Sequence, residues 1–424
     1  MAHSHALRCG VDIGGTFTDV VMVDESTGAL HIFKLLTTPD DPSRAAIGGM
    51  AALLRAQGLP PERVTSVIHG TTLVTNTLIE RKGTIAGLIT TRGFRDILEI
   101  GREKRYDIYD IFLEMPKPPL APRYLRGEVT ERVDHEGNVV TALYEDEVRA
   151  TILELLNSGA QAIAVCFIHS FMNPTHEQRV AAILQEVAPT LSYSLSSEVL
   201  PEIREYERTS TTVANIYVKP VVALYLDRMQ AALRRLKVPG ELFLMLSSGG
   251  IGTCDTATRF PIRLVESEPA AGALAAALFG ELTGTSEVFA FDMGGTTAKT
   301  CLIEHGIPAI TTDFEVDRVY QYKKGSGVPV RVPVIEMVGI GAGGGSLARI
   351  DAMGLLKVGP QSAGAARASG GRSLSESAGD TGGIRVPNWA HKSSPCIDHR
   401  ARHRPGTSGA GQPDAAGRCV VPGA

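Results

Sequence analysis

The chain has 424 residues, with 46 Asp and Glu against 42 Lys and Arg, a formal charge of −4, 43% hydrophobic and 21% charged residues. That length exceeds the roughly 250 to 300 residues at which a single core stops growing, so two or more domains are expected. The composition excludes a wholly disordered, collagen-like or coiled-coil chain, and the balanced charge argues against nucleic acid as a partner. Six cysteines, Cys9, Cys166, Cys254, Cys301, Cys396 and Cys419, lie far apart without a CxxC pair, which fits a reducing compartment. Residues 1–10 contain no apolar run that could act as a signal peptide. The longest stretch free of Asp, Glu, Lys and Arg, residues 155–176, is broken by Asn157, Gln161, His169, Asn173 and Pro174. A cytoplasmic protein without a membrane segment is expected.

In chain order the elements alternate between strand and helix, the pattern of an α/β fold. Residues 11–19 lead into the apolar run 20–23 and a turn at Ser26-Thr27-Gly28. Apolar residues at helical spacing predict a helix over 40–57, stopped by Gly58. The run 64–68 predicts a strand ending at His69-Gly70-Thr71-Thr72, where α/β sheets often carry functional loops; capping by Thr71 or Thr72 explains the same residues. A helix over 144–156 is followed by a turn at Ser158-Gly159 and a strand over 162–168. Asn173-Pro174 reads as an N-cap and first helical position for a helix over 173–187. Glu198, Glu202, Arg204, Glu205, Glu207 and Arg208 form a charge run of the kind that usually makes a solvated helix face. A helix over 209–236, a strand over 242–246 and a small-residue helix over 269–278 follow. The apolar strand 332–338 precedes the glycine run 341–346, and no long linker stands before residue 365.

An internal repeat carries the functional reading. Val11-Asp12-Ile13-Gly14-Gly15-Thr16-Phe17-Thr18-Asp19 recurs as Phe291-Asp292-Met293-Gly294-Gly295-Thr296-Thr297-Ala298-Lys299, with Asp12 and Asp292 separated by 280 positions. Each copy reads as strand, Gly-Gly turn, strand. A two-residue Gly-Gly connection permits positive φ at both turn positions and close approach of a ligand to the backbone. Backbone N–H groups of such turns bind phosphate oxygens, the Thr hydroxyl adds a donor, and the preceding Asp places a carboxylate where Mg²⁺ on a polyphosphate needs one. Two such hairpins are expected to face one nucleotide across a cleft. Asp134, His135, His169 and His176 show no recognisable metal spacing.

The paired hairpins resemble the two phosphate motifs of the actin-like (ribonuclease H-like) ATPase fold. Within that fold the sequence is similar to the hydantoinase A/5-oxoprolinase family, which includes relatives in acetone and acetophenone carboxylases. The residues carrying the resemblance are 12–19, His69-Gly70-Thr71-Thr72 with Asn76, Thr91-Arg92-Gly93-Phe94-Arg95-Asp96, 197–208, 291–296 and 341–346. It implies duplicated α/β domains around an inter-domain nucleotide cleft. The expected parts are an N-terminal domain over 8–200, an incomplete ATPase domain over 201–365, and a tail over 366–424.

The resemblance implies ATP and Mg²⁺ as cofactors. Asp12 and Asp292 would act at Mg²⁺ or its waters, or one of them would orient the attacking group. Gly14, Gly15, Thr16, Thr18, Gly294, Gly295 and Thr296 would bind phosphates, and Gly343, Gly344 and Gly345 the nucleoside. The implied reaction is hydrolysis of a cyclic amide of the hydantoin or 5-oxoproline type, driven by phosphoryl transfer to the carbonyl oxygen. An ATP-dependent ketone carboxylase and an inactive nucleotide-binding remnant are the alternatives. The family implies a hetero-oligomer with a hydantoinase B-type subunit. Two departures stand out. Glu268 replaces a Gly, with an expected effect on local backbone but not on phosphate chemistry, and Lys299 replaces an acidic residue at the position matching Asp19.

The resemblance stops at Ala365. Residues 366–424 contain 10 Gly, 5 Pro and 7 Ser but only 7 of Leu, Ile, Val, Met, Phe and Trp. That is too little apolar surface to offset about 1 to 2 kcal/mol of backbone entropy per residue. The segment carries 8 Lys and Arg against 4 Asp and Glu, and is expected to lie outside the native fold as a frameshifted or truncated reading.

Overall fold

The computed structural model describes residues 6–362 apart from 16, 39–40, 114–117, 295–296, 320–322 and 352–353. Strand β1 (Leu7–Ile13) buries Leu7, Cys9, Val11 and Ile13, the period of two that places alternate side chains on one face. It pairs antiparallel with β2 (Phe17–Asp24), which pairs antiparallel with β3 (Ala29–Leu36). Along its other edge β1 runs parallel to β4 (Val64–Thr71), and β4 runs parallel to Glu241–Met245. Ile251–Thr253 completes this six-stranded sheet as an antiparallel edge.

Helix α1 (Pro42–Ala56) forms where the 40–57 periodicity predicts it, and its ends follow from named residues. Asp41 Oδ1 accepts the Ser43 backbone N–H at 3.2 Å, and Pro42 occupies the first turn, where its missing N–H has no intrahelical role. At the far end Leu59 N–H donates to Leu54 O at 2.9 Å and Gly58, at φ +62°, donates to Arg55 O at 3.2 Å. These paired bonds stop the helix and require a left-handed residue, which glycine supplies without strain.

A second sheet holds four parallel strands in the order Ser192–Leu195, Ala162–Cys166, Ala86–Thr91, Arg126–Val129. Ala86–Thr91 and Ala162–Cys166 are buried at every position, as strands of a parallel sheet covered on both faces must be. The helix predicted over 173–187 begins at Thr175, one residue later than the Pro174 start implied. Pro174 is its cap, and Asn173 Oδ1 accepts from Thr175 N at 3.1 Å and from Thr175 Oγ1 at 2.6 Å.

The helix predicted over 209–236 spans Glu205–Arg235, with Pro220 inside it, so its first turn absorbs the end of the charge run. Every residue from Glu207 to Val218 is buried, and the helix packs against Ala162–Cys166 and Ser192–Leu195. The end of the charge run is therefore not a solvated face. Arg208 donates to Phe167 O at 2.5 Å and stacks over Phe171, while Glu207 pairs with Arg102. Burial of these charges is tolerated because each has a partner.

A third sheet has the order Val288–Met293, Ala298–Glu304, Ile307–Pro308, with Val338–Ile340 antiparallel to Ala298–Glu304. The apolar stretch expected as one strand over 332–338 is thus divided into Val334–Ile335 and Val338–Ile340. Helix Ser267–Thr283 covers one face through Ala270 and Ala273, against Cys301 and Ile303. The other face carries Phe289, Phe291 and Met293, the positions that repeat Cys9, Val11 and Ile13. Phe291 is 57% exposed where Val11 is 3% exposed. No helix among the described residues is long and apolar enough to cross a membrane.

The contrast between repeat positions is measurable. Ile13→Ala removes a buried side chain and is expected to cost about 2 to 5 kcal/mol. Met293→Ala, at the matching position on the exposed face, is expected to stay within about 0.5 kcal/mol. Denaturation midpoints of the two variants check this; equal losses would contradict the difference in burial.

Candidate nucleotide site

The two hairpins have the same register. Asp12 pairs with Asp19 and Ile13 with Thr18; 280 positions on, Asp292 pairs with Lys299 and Met293 with Ala298. Gly14 N–H donates to Phe17 O at 3.0 Å, and Gly294 N–H to Thr297 O at 2.9 Å. Neither Gly14 nor Gly15 nor Gly294 adopts a left-handed φ. The expectation of positive φ is corrected for these three glycines: Gly14 and Gly294 are still hydrogen-bonded across their hairpins. What demands glycine at Gly14 is space, because a Cβ there would lie 3.3 Å from both Glu268 Oε1 and Phe17 O. Thr16, Gly295 and Thr296 lie outside the described residues, as does the segment 366–424.

Each turn is held from outside at the same atom. Thr37 Oγ1 donates to Gly14 O at 2.8 Å and is itself bonded to Thr18 Oγ1 at 3.0 Å. Thr18 is fully buried, so it reaches the turn through Thr37 rather than facing solvent. At the second hairpin Gly344 N–H donates to Gly294 O at 2.9 Å. Gly343 N–H donates to Ser346 Oγ at 2.8 Å, and Ser346 N–H returns to Gly343 O at 3.0 Å. The glycine run is thus a folded turn against the second hairpin, with Gly345 immediately before the strand Ser346–Ile350.

Between the turns lies a concentration of carboxylates. Asp12 Oδ1 is buried without a hydrogen-bond partner and would sit 3.3 Å from a Cβ at Gly70, so Gly70 leaves the room that this carboxyl occupies. Burial, then the charges of Asp19 and Asp292, push Asp12 up to about 7, against the lowering influence of Lys34. Burial, then Asp12, push Glu268 up to about 8, with Lys299 lowering it and Asp292 and Glu266 raising it further. Asp12 and Asp292, one from each hairpin, thus both act on Glu268, and Asp292 acts on Asp12 as well. Glu268 was expected to affect backbone alone; its carboxyl instead enters the cluster beside Asp12. The nearby ammonium groups are engaged: Lys34 Nζ bonds Asp19 at 2.7 and 2.8 Å, and Lys299 pairs with Glu266.

A group suited to this place must bring positive charge. Burying carboxylates without a cation is costly, and the unpartnered Asp12 Oδ1 offers a free acceptor. Among the described residues no group of three or more His, Cys, Asp or Glu side chains is arranged to hold a metal ion by itself. Mg²⁺ suits such an incomplete set, since it retains waters and takes one or two carboxylates together with substrate phosphates.

Comparison with known proteins shows the family. The hydantoinase/oxoprolinase N-terminal region matches residues 8–188, and the hydantoinase/oxoprolinase model matches residues 208–375. The chain belongs to the hydantoinase/oxoprolinase family. It is 35% identical to caprolactamase subunit alpha of Pseudomonas jessenii over 84% of this chain and 51% of that protein. The crystal structure of ATP-dependent caprolactamase from Pseudomonas jessenii superposes with a TM-score of 0.74 at 34% identity, over 84% of this chain and 51% of that one. A nucleotide-free acetone carboxylase, described for ATP-dependent acetone carboxylation, superposes with a TM-score of 0.72 at 27% identity, over 85% of this chain and 51% of that one. The chain spans about half the length of the curated relatives it matches. The relatives thus include one named as an ATP-dependent caprolactamase and one described for ATP-dependent acetone carboxylation.

Other residues that this hydantoinase/oxoprolinase sequence singles out take structural places. His69 is fully buried, its Nδ1 3.1 Å from Val11 O and its Nε2 2.6 Å from Tyr225 Oη. Burial holds it down to about 4, so it is a neutral bridge between β1 and the long helix. Thr71 Oγ1 accepts Leu73 N–H at 3.2 Å, a local cap, and Asn76 Nδ2 donates to Thr72 Oγ1 at 3.1 Å. His176 Nδ1 lies 2.8 Å from Glu131, and His169 Nδ1 2.9 Å from Val133 O. A cavity of about 750 Å³, lined in part by Arg102, Arg105, Tyr206, Glu207 and Arg331, lies elsewhere and includes no hairpin residue. Glu268 and Thr37 are the site residues that motif reading misses. The signal for Glu268 was its departure from glycine; Thr37 had none, because only folding brings it to Gly14.

The raised carboxyls give a pH prediction. A carboxyl whose folded pKa exceeds its unfolded value of about 4 binds more protons when folded, so stability is lost as pH rises through the folded pKa. For Asp12 and Glu268 the loss falls between about pH 4 and about pH 8. Nucleotide-free protein is therefore expected to lose stability over that window, and Glu268→Gln to reduce the loss. Parallel denaturation profiles for wild type and variant between about pH 5 and about pH 9 would contradict the charge cluster.

Proposed function

We propose that the chain is the nucleotide-using subunit of an ATP-dependent hydrolase that opens a cyclic amide of the hydantoin or 5-oxoproline type. The observation that carries this reading is the repeated Asp-x-Gly-Gly-Thr hairpin, both copies of which contribute a carboxylate to one cluster. The order of the six-stranded sheet, three antiparallel strands continued by parallel ones, supports reading it as the first half of a duplicated actin-like fold. We propose a division into 8–200 and 201–365, supported by the separate family matches over 8–188 and 208–375, with Glu241–Met245 and Ile251–Thr253 crossing it to join the six-stranded sheet.

A ring amide resists water because its carbonyl is resonance-stabilised. Transfer of the γ-phosphoryl to the carbonyl oxygen releases ADP and leaves an activated carbon that water attacks; the C–N bond then breaks with proton transfer to the nitrogen, opening the ring to an amine and an acyl phosphate, and a second water hydrolyses the acyl phosphate to carboxylate and phosphate. Such transfer needs positioning and charge neutralisation more than a nucleophile from the protein. In this reading Asp12 and Asp292 hold Mg²⁺ directly or through its waters, and Mg²⁺ supplies the positive charge that the polyphosphate and the carboxylates lack. Gly15, Thr16, Gly295 and Thr296 present backbone N–H and hydroxyl donors to phosphates; Gly14 and Gly294, whose own N–H groups close the hairpins, let the phosphates approach the backbone, with Thr18 supporting the first turn through Thr37. Gly343, Gly344 and Gly345 lie toward the nucleoside. The likeness to a protein named as a subunit supports a hetero-oligomer with a hydantoinase B-type partner, and four free, buried cysteines support a cytoplasmic setting.

The test is release of ADP, with the partner subunit present, across a panel of hydantoins, 5-oxoproline and lactams; release that depends on none of them counts against the hydrolase. The likeness to acetone carboxylase supports a second reading, in which the same site activates bicarbonate or a ketone enolate. ATP-dependent incorporation of labelled bicarbonate into acetone or an aryl ketone selects it. Asp12→Asn and Asp292→Asn are each expected to lower ATP turnover by about 100-fold or more while the circular dichroism stays that of wild type. Unchanged turnover in both would remove the assignment.

A further inference from the structure

Glu268 is the residue of this site that neither the repeat nor the family motif accounts for. It stands in the first turn of helix Ser267–Thr283, and its backbone is pinned. Ser267 Oγ donates to Thr71 O at 3.0 Å and accepts from Thr71 N at 3.3 Å, and Glu266 N–H donates to Thr75 Oγ1 at 3.2 Å. A Cβ on Gly70 would lie 3.6 Å from Glu268 Cα, so β4 and the helix start meet backbone to backbone. The helix therefore cannot carry the side chain away by a small shift. From this anchor Oε1 reaches the Gly14 turn, 3.3 Å from the position of a Cβ there. Among the described residues the Glu268 carboxyl has no hydrogen bond or ion pair, since Lys299 is held by Glu266 and Lys34 by Asp19.

We propose that Glu268 is a built-in competitor for nucleotide: its carboxylate oxygen stands where a phosphate oxygen would meet the Gly14 turn, and a polyphosphate enters this hairpin only by displacing it. The inference rests on the nucleotide reading of the hairpins. It follows from shape. The space left by Gly14 is filled by a carboxyl oxygen of Glu268, and the backbone that bears this side chain has no room to withdraw. A phosphate arriving at the Gly14 turn meets that oxygen before it meets the turn. The site is thus closed at its first hairpin.

The experiment measures MgATP binding by calorimetry to the full chain, comparing wild type with Glu268→Gly, Glu268→Ala and Glu268→Gln. Glu268→Gly and Glu268→Ala are expected to bind about tenfold more tightly or better, having lost the bulk that occupies the turn. Glu268→Gln keeps the shape, so it is expected to bind about as weakly as wild type, and it guards against a folding defect in the smaller variants. Wild-type binding that Glu268→Gly and Glu268→Ala leave equal or weaken, in folded protein, overturns the competitor role and leaves the nucleotide reading standing. Failure of wild type and all three folded variants to bind MgATP at millimolar concentration overturns both.

Discussion

Carboxylates gathered against two glycine turns, with too little positive charge among them, are the constraint on which this site depends. Asp12 is held there by β1, whose alternate residues are buried, and by Gly70 on the neighbouring parallel strand, which leaves the volume its carboxyl needs. Asp292 arrives from the other end of the chain, and Glu268 from the helix that leads into the second hairpin. The local lysines do not resolve the imbalance, because each is committed to its own acid. Such a place is stable either by taking up protons, as the raised Asp12 and Glu268 express, or by taking up a cation.

The repeat is equal in backbone and unequal in surroundings. Both hairpins close with the same bond from the first glycine to the residue three positions on, and both accept an outside donor at that glycine's carbonyl. The donor is a threonine hydroxyl in one and a glycine amide in the other. At the next matched position the signs are opposite, Asp19 with Lys34 and Lys299 with Glu266, yet each forms a pair. The geometry that a phosphate would read is therefore kept while the side chains around it diverge.

Burial diverges as well. Val11 and Ile13 lie in the main core, which extends across residue 200 to Val213 and Val334, while Phe291 and Met293 are exposed on a sheet covered by one helix. Charged residues follow the same logic in reverse. Arg208 and Glu207 belong to a run that composition assigns to a surface, but the helix bearing them passes through the middle of the fold, and Phe167 O and Arg102 satisfy them there.

The sequence by itself determined the α/β alternation, the main helices and strands to within a few residues, and the duplicated hairpin with its two aspartates. Those signals are local: period, punctuation by Gly58 and Pro42, and a motif repeated in order. Only the tertiary structure decided that Gly14 and Gly294 spend their N–H groups closing the hairpins, that Thr18 acts through Thr37, and that His69 is a buried bridge to Tyr225. It also decided that Glu268 stands in the site, 3.3 Å from a Cβ on a glycine 254 positions earlier in the chain. The physical reason is the same in each case: which atoms meet across such a separation depends on the packing of β4 against the start of a helix, and no spacing within the motif encodes it.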